Sequence, residues 1–310
     1  MIVETVPAAL AGERLDRIVA LILDVSRSIA VDVIGAGGVT VDGLAAATGK
    51  VRLIEGQEVA ADPSRIPVLQ APQADHTVEF DVIHEDDHIV VIDKPAGLVV
   101  HPGAGNPDHT LANGLLARYP EVAQVGEQMR PGIVHRLDAG SSGVLVAART
   151  QQAAEALMAQ FASHHAARAY RALVWGHPEA PHGVIDAPIG RSRRDPLRMA
   201  VVANGRRSRT EYRVIDRFDS PADLALLQCN LETGRTHQIR VHLSSINHPL
   251  VGDPVYGQRR PKLQLQRPFL HAVELAFDHP ATGESVRYRS ELSADLAERL
   301  STLRRVEPDA

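Results

Sequence analysis

A short carboxylate on a turn between two apolar segments is the clearest candidate for chemistry in this chain. Asp138 lies in residues 132–143, where glycine and serine follow the carboxylate. Residues 132–134 are typical of the end of one strand, and residues 144–148 predict a second strand with few polar atoms. Such a turn presents the carboxylate at the rim of a sheet, where the neighbouring Arg136 favours its ionised form. The pattern predicts a nucleophile or general base, and the simpler alternative is an aspartate that caps its own turn.

The full run around this carboxylate resembles a known catalytic motif. His-Arg-Leu-Asp at residues 135–138, followed by two further residues and Ser-Ser-Gly, resembles the motif of the RluA-type pseudouridine synthases, which isomerise uridine in RNA. Further segments resemble the same family in the order that it requires, at residues 91–103, 168–176, 234–242, 248–257 and 270–272. Residues 97–108 are similar to a segment of the RluD branch of this family. One short match could arise by chance, but this ordered series covers nearly the full chain and identifies the sequence as a member of the family.

The resemblance implies a reaction that needs no metal and no redox cofactor. Pseudouridine forms when the bond between ribose C1′ and uracil N1 breaks, the base turns, and a new bond joins C1′ to C5. This chemistry needs a carboxylate at the sugar or base, a cation beside it, an aromatic platform for the free base, and exclusion of water. We therefore expect RNA as the partner of this chain and no cofactor.

Four side chains match functional positions of the family, and Arg136 is a further candidate within the motif. Asp138 matches the catalytic aspartate, as nucleophile or general base, and Arg240 matches the arginine that pairs with it. Tyr170 matches the active-site tyrosine, whose ring can stack on a flipped uracil and whose hydroxyl can transfer a proton. Leu270 matches an apolar position that packs against the target base, and Arg136 is a candidate for stabilising RNA from which the uridine has been extruded. Without the resemblance, Tyr170 is more typical of a half-buried sheet position, and Arg240 is equally typical of a structural ion pair.

Charge is distributed unevenly along the chain. Its 310 residues have a net charge of −5, although phosphate contacts usually give a nucleic-acid-binding protein a basic surface. Residues 191–213 are the exception, because they contain eight arginines and only two carboxylates. Arginine favours bidentate contacts with phosphate, so we expect RNA contacts here, with Arg206 and Arg207 as candidates. The alternative is an ordinary solvated surface.

Composition divides the chain into three stretches. Residues 1–61 predict a small α/β domain, residues 62–77 are rich in proline and aperiodic and predict a linker, and residues 78–310 predict the catalytic domain. The first domain resembles an S4-type RNA-binding domain, with Arg14 and Arg27 among its cations. Its second helix lacks the basic residues that such domains commonly carry there. The predicted elements of this domain are helices at 14–22 and 26–34 and strands at 39–43 and 51–59.

Strand-like runs dominate residues 78–310, with helices predicted at about 112–118 and 151–163. This mixture predicts an α+β fold with a mixed, mostly antiparallel sheet. The resemblance to pseudouridine synthases implies the same fold for the catalytic domain. The sequence contains no internal repeat.

Several features bear on where the protein acts. No apolar run approaches the roughly 20 residues that a membrane-spanning helix needs. The first residues lack the basic and apolar regions of a secretion signal. Cys229 is the single cysteine, which excludes an intramolecular disulfide framework and suits a reducing compartment. We therefore expect a cytoplasmic protein without membrane contact. We also expect a monomer.

Rival interpretations draw on the same residues. Residues 137–142 also resemble the motif of aspartic proteases, but those enzymes need two carboxylates that share a proton, and the sequence has no second copy. His237, His242 and His248 suggest a metal site, but no helical pair or cysteine ligand supports it. A non-catalytic RNA-binding or ribosome-assembly protein with the same fold stays open. As substrate, the RluD branch implies uridines of large-subunit (23S) ribosomal RNA, and transfer RNA is the alternative.

Overall fold

The computed structural model describes residues 1–25, 27–66, 71–103, 106–192, 195, 198–257, 263 and 265–306. The chain divides into two compact units, Met1–Ala71 and Pro72–Ala310. This division falls inside the stretch predicted as a linker. Within that stretch, Ile66 packs against the core of the first unit, and the backbone N–H of Asp75 donates to the carbonyl of Asn113 in the second. Residues 67–70, also predicted as linker, lie outside the described residues.

The first unit combines two helices with an antiparallel sheet. Leu15, Ile18 and Val19 are buried, and their spacing gives the first helix one apolar face. The elements of this unit are strand β1 (Ile2–Thr5), helices α1 (Leu15–Ile22) and α2 (Arg27–Gly35), and strands β2 (Val39–Val41), β3 (Leu44–Ala45) and β4 (Glu58–Ala61), with short 3-10 helices at Ala8–Leu10 and Pro63–Arg65. The strands lie in the order β1-β4-β2-β3.

The predictions for this unit are confirmed for both helices and for β2; the predicted capping residue Ser26 lies outside the described residues. The strand predicted at 51–59 is wrong over most of its length. Only its end belongs to β4, because Gly56 adopts φ +85° in a turn that interrupts extended backbone. β1 was missed because all four of its residues are exposed, so they lack the alternation of a half-buried strand.

The second unit is built on one large sheet. Its strands are β5 (Asp81–Glu85), β6 (Ile89–Lys94), β7 (Ser142–Ala148), β8 (Ala167–Trp175), β9 (His182–Asp186), β10 (Ile189–Arg191), β11 (Met199–Val201), β12 (Arg209–Ser220), β13 (Leu224–Leu231), β14 (Leu270–Asp278), β15 (Ser285–Arg289) and β16 (Arg304–Arg305). Its helices are α3 (Leu111–Arg118), α4 (Gln151–Ala162), α5 (Gln238–Ser245) and α6 (Ala294–Ser301), with a 3-10 helix at Pro120–Gln124.

The order of the strands confirms a mixed, mostly antiparallel sheet in an α+β fold. The described strands of the main sheet lie in the order β16-β12-β13-β8-β14-β7-β6-β5, with β15 beside β14 and β9 beside β12. β7 and β14 pair in parallel, whereas the other pairs of this sheet are antiparallel. β10 and β11 form a separate hairpin.

The parallel pair brings two strand starts to one edge of the sheet. β7 follows the turn that carries Asp138, and β14 begins with Leu270. Gly143 adopts φ +111°, and any Cβ there would collide with the backbone of Ala272 on β14, so only glycine permits this approach. On its other side β7 pairs with β6, and Gly143 lies opposite Lys94. The fold therefore gathers Asp138, Leu270 and Lys94 at one place.

The helix predictions for the second unit are confirmed for α3 and α4, whereas α5 and α6 were missed. In α5 the apolar residues Ile239, Val241 and Leu243 alternate as in a strand. Residues 238–243 are all buried, and a helix that is buried on every side leaves no periodic signal. None of the helices that the structure describes is long and apolar enough to cross a membrane.

Candidate active site

Asp138 lies on a loop whose backbone is held by a buried lysine. The side chain of Lys94 is fully buried. Its Nζ donates to three backbone carbonyl oxygens, those of Pro95 (2.7 Å), Leu98 (2.9 Å) and Ala139 (3.4 Å). Burial lowers the pKa of Lys94 to about 7, and the charge of Asp138 opposes this shift. The lysine thus fixes the residue that follows Asp138.

Arg267 also holds this loop. Its Nη1 donates to the carbonyl of Gly140 at 3.2 Å and to Oγ of Ser142 at 3.1 Å. An ion pair of 2.7 Å with Asp295 anchors the guanidinium to α6. Lys94 and Arg267 both hold residues that directly follow Asp138, so this part of the loop is positioned before any substrate arrives.

Two carboxylates share one guanidinium beside this loop. Arg240, which is buried on α5, donates from Nε (2.8 Å) and Nη2 (3.0 Å) to the two oxygens of Asp253, and from Nη1 to Oδ2 of Asp138 at 3.1 Å. Asp253 also accepts the backbone N–H groups of Val255 and Tyr256. Burial raises the pKa of Asp253, but the hydrogen bonds from Arg240 and the backbone outweigh it, and the pKa lies below its ordinary value. The buried pair aims the remaining N–H of Arg240 at Asp138.

No role was predicted from the sequence for Lys94, Arg267 or Asp253. Lys94 and Asp253 lie within segments that resemble the family, at residues 91–103 and 248–257. A lysine that ends a run of Val and Ile was the available signal, because lysine is almost never fully buried without partners. The link from Arg267 to the loop spans more than a hundred residues, and no local pattern indicates it.

A cavity of about 490 Å³ opens beside the carboxylate, within the range of roughly 300–1,000 Å³ that is usual for small-molecule sites. Tyr170 on β8 and Leu270 on β14 are buried in its wall, and the exposed Arg136 also borders it. The side chain of Asp138 is 18% exposed, whereas that of Arg240 is 7% exposed. The structure thus brings the four residues that were matched to the family, and Arg136, to one cavity.

Tyr170 contributes a neutral hydroxyl to this cavity. Burial raises its pKa; the nearby charge of Arg168 opposes the shift and that of Asp138 adds to it. Among the described residues the hydroxyl has no hydrogen-bond partner. A neutral phenol beside a carboxylate can stack on a base and transfer a proton.

Two histidines near the loop have partners that the sequence did not reveal. Nε2 of His135 accepts the backbone N–H of Val146 at 3.0 Å, and the ring stacks on Phe161 with centroids 4.4 Å apart. Burial, assisted by the charge of Arg168, lowers the pKa of His135 to about 3, so the ring is neutral at physiological pH. Nδ1 of His237 lies 2.9 Å from the hydroxyl of Tyr256.

The metal-site interpretation is not supported by the geometry. Both ring nitrogens of His242 lie within hydrogen-bond distance of other groups, Thr210 Oγ1 at 2.8 Å and the carbonyl of Ala187 at 2.9 Å. His248 lies 2.9 Å from the carbonyl of Trp175. In the part of the chain that the structure describes, no group of three or more His, Cys, Asp or Glu is arranged to hold a metal ion.

The remaining arginines that were expected to bind RNA lie in two places. Arg206 and Arg207 are exposed, and Arg207 forms an ion pair with Glu232 at 2.8 Å.

In the first unit, Arg14 and Arg27 both form ion pairs with the buried Asp16, at 2.5 and 2.8 Å. RNA contact stays a prediction for all four. Arg193 and Arg194, from the same arginine-rich stretch, lie outside the described residues.

Comparison with known proteins gives the class of this one. A family described as RNA pseudouridylate synthase matches residues 88–245, about half of the chain, and the match includes Asp138, Tyr170 and Arg240. The chain belongs to this family, and it is an RNA pseudouridine synthase, an isomerase.

Individual relatives extend the match to nearly the whole chain. "Ribosomal large subunit pseudouridine synthase D" of Nitrosomonas europaea is 46% identical over 97% of this chain and 87% of the relative. The protein of the same name from Pseudomonas aeruginosa is 42% identical over 96% of this chain and 94% of the relative. Among solved structures, "Human RNA Pseudouridylate Synthase Domain Containing 1" is 26% identical with a TM-score of 0.57, covering 69% of this chain and 84% of that one.

Proposed function

We propose that this enzyme converts uridines of large-subunit ribosomal RNA to pseudouridine, with Asp138 as nucleophile or general base. The observation that carries the proposal is the carboxylate of Asp138, held by Arg240 beside a cavity that Tyr170 and Leu270 line. The choice of RNA rests on the relatives that are named for the ribosomal large subunit. Such an enzyme acts in the cytoplasm, and we propose that it acts as a monomer, because one chain supplies every proposed catalytic group.

The geometry supports each step of this reaction. A uridine extruded from the RNA, at a cost of a few kcal/mol, enters the cavity with its base between Tyr170 and Leu270. Asp138 attacks C1′ or removes a ribose proton, and the C1′–N1 bond breaks with its electron pair on the base. The base turns and C5 bonds to C1′ as the bond from Asp138 to C1′ breaks or, on the second route, as the ribose regains its proton from Asp138. C5 then loses its hydrogen as a proton, for which the hydroxyl of Tyr170 is the proposed transfer group, and N1 gains one.

Release of tritium from C5 tests the proposal. Purified protein is incubated with large-subunit ribosomal RNA transcribed from 5-tritiated uridine triphosphate, and with transfer RNA transcripts prepared in the same way. Each conversion sets one tritium free, because C5 gives up its hydrogen. We expect release from the ribosomal transcript alone. Release from transfer RNA alone would overturn the proposed substrate and leave the reaction class intact.

Tyr170→Phe separates the two proposed roles of this residue. The ring is retained, so we expect the RNA dissociation constant to stay within a few-fold of the wild-type value. Loss of the hydroxyl is expected to slow the single-turnover rate by about 10²- to 10⁴-fold, the range for general acid–base catalysis. Tyr212→Phe, on β12, is the matched control. An unchanged rate in Tyr170→Phe would leave stacking as the only role of this residue.

We propose that the first unit is an S4-type RNA-binding domain. Support comes from its two helices and short antiparallel strands and from exposed cations such as Arg17. α2 carries no basic residue beyond Arg27 at its start, so its contribution to affinity is expected to be modest.

Deletion of residues 1–71 tests whether the first unit contributes to RNA binding and not to catalysis. As far as the structure describes the chain, the core clusters of the second unit consist of residues of that unit alone, so we expect the truncated protein to stay folded. Its affinity for RNA should fall, and the salt dependence of binding should weaken by about one unit of slope for each lost phosphate contact. The single-turnover rate at saturating RNA should be unchanged. A folded truncation that is inactive at saturation would show that the first unit helps to build the active site.

A further inference from the structure

The cavity contains a second arginine that the reaction as described does not use. Arg168 lies two residues before Tyr170 on β8, and the two side chains point to the same face of the sheet. Both line the cavity that Asp138 and Leu270 also border. No role was predicted for this arginine from the sequence.

Among the described residues, no carboxylate pairs with Arg168. Unlike Arg240, it forms no ion pair with any residue that the structure describes, and burial lowers its pKa. Its Nη2 donates to the backbone carbonyl of Glu232 at 3.0 Å, and its Nε is shielded from solvent without a hydrogen-bond partner. Its Nη1 donates to none of the described residues. A half-buried cation with unused donors is costly unless a ligand supplies the missing acceptor.

The neighbours of this guanidinium hold it in place and add no compensating charge. It lies over the ring of Phe161, 5.5 Å from the centroid. His135, which stacks on the same ring, is neutral because burial lowers its pKa to about 3. Gly234 leaves the space that Nη1 occupies, since a Cβ at this position would lie 2.5 Å from that nitrogen. The surroundings therefore fix a cation in a largely apolar wall.

The missing partner is an anion, and the reaction produces one inside this cavity. Whether Asp138 attacks C1′ or removes a ribose proton, the C1′–N1 bond breaks with both electrons on the base. The free uracil then carries a negative charge that is shared among N1 and the two exocyclic oxygens. Phosphates of the RNA remain at the rim, where the exposed Arg136 lies, whereas the base is the part that enters the cavity.

We propose that Arg168 is a catalytic residue that donates from Nη1 to an exocyclic oxygen of the uracil and stabilises the base as an anion between bond cleavage and re-attachment. The proposal rests on the proposed function above. Fixed donors aimed at developing charge in a site that excludes water are a principal source of catalysis. When C5 has bonded to C1′ and released its proton, and N1 has gained one, the base is neutral again and the attraction to Arg168 weakens.

The test compares single-turnover rates on two RNA substrates. One RNA carries uridine at the target position, and the other carries 5-fluorouridine, whose fluorine withdraws electrons and stabilises the base anion without the protein. Loss of the target nucleoside is followed by nuclease digestion and mass spectrometry. The variants are Arg168→Gln, which removes the charge, and Arg168→Lys, which keeps it. Arg171→Gln is the matched control, because Arg171 lies on the same strand but points to the opposite face and binds Gln228.

We expect Arg168→Gln to lose about 10²-fold in rate on uridine RNA at saturating enzyme, as when one anion-stabilising donor is removed. Its dissociation constant should stay within a few-fold of the wild-type value, and its defect should be clearly smaller on 5-fluorouridine RNA. Arg168→Lys should recover part of the rate, and Arg171→Gln should match the wild type. The ratio of rates on the two RNAs is independent of the fraction of protein that folds.

Equal defects on both RNAs, or a loss confined to the dissociation constant, would overturn the proposal, the second result indicating a phosphate contact. A wild-type protein that converts neither RNA would instead overturn the proposed substrate.

Discussion

Asp138→Asn should reduce pseudouridine formation by roughly 10⁴-fold or more, the scale seen when a nucleophile or its base is removed. The amide has the shape of the carboxylate but can neither attack C1′ nor remove a ribose proton. Arg240 keeps its two hydrogen bonds to Asp253, so the substitution leaves no buried charge without a partner. Tritium release under single-turnover conditions measures the loss, and thermal unfolding and filter binding measure the fold and the RNA affinity.

The control for this variant is a carboxylate remote from the cavity. Asp219 on β12 forms an ion pair with Arg304 at 2.9 Å, and Asp219→Asn is expected to keep the wild-type rate. If Asp138→Asn retained a rate within about tenfold of the wild type, a barrier difference of only about 1.4 kcal/mol, the assignment of Asp138 would be wrong.

Arg240→Ala should have the second largest effect, on both stability and activity. The substitution leaves the fully buried Asp253 without its cation, and breaking a buried pair in this way costs about 3–5 kcal/mol of unfolding free energy. It also removes the N–H that orients Asp138, so activity should fall below detection. Urea unfolding monitored by circular dichroism and tritium release measure the two effects.

Arg240→Lys keeps this prediction testable if the alanine variant fails to fold. Lysine retains the charge near Asp253, but a single ammonium cannot reproduce the planar fork that reaches Asp253 and Asp138 together. We expect a folded protein with a strongly reduced rate and little change in RNA affinity. A lysine variant with the wild-type rate would show that positioning by the guanidinium is dispensable.

The contact between Asp138 and Arg240 could be predicted from the sequence, because each residue lies in a short motif that resembles the family. Tyr170 and Leu270 came from the same kind of match. α3, α4 and β7 were predictable from local patterns, since each buries one face or has an unbroken apolar run between turn residues.

What the sequence did not reveal depends on contacts between distant segments. Asp253 and Arg240 are separated by 13 residues, and no periodicity relates a helix to the turn that follows it. From the sequence, Arg168 is an ordinary charged residue of a strand. Its contacts with Phe161 and Gly234 join segments that are distant in the chain. Helix α5 was not predicted, because its residues 238–243 are all buried and leave no periodic pattern.

The most direct test of the central claim is a map of pseudouridine in cells. RNA from cells with the gene, without it, and with Asp138→Asn in its place is treated with carbodiimide, which marks pseudouridine, and is sequenced. We expect specific uridines of large-subunit ribosomal RNA to lose their mark without the gene, to regain it with the wild-type protein, and to stay unmarked with Asp138→Asn. Marks that persist unchanged in cells without the gene, or that Asp138→Asn restores, would contradict the claim.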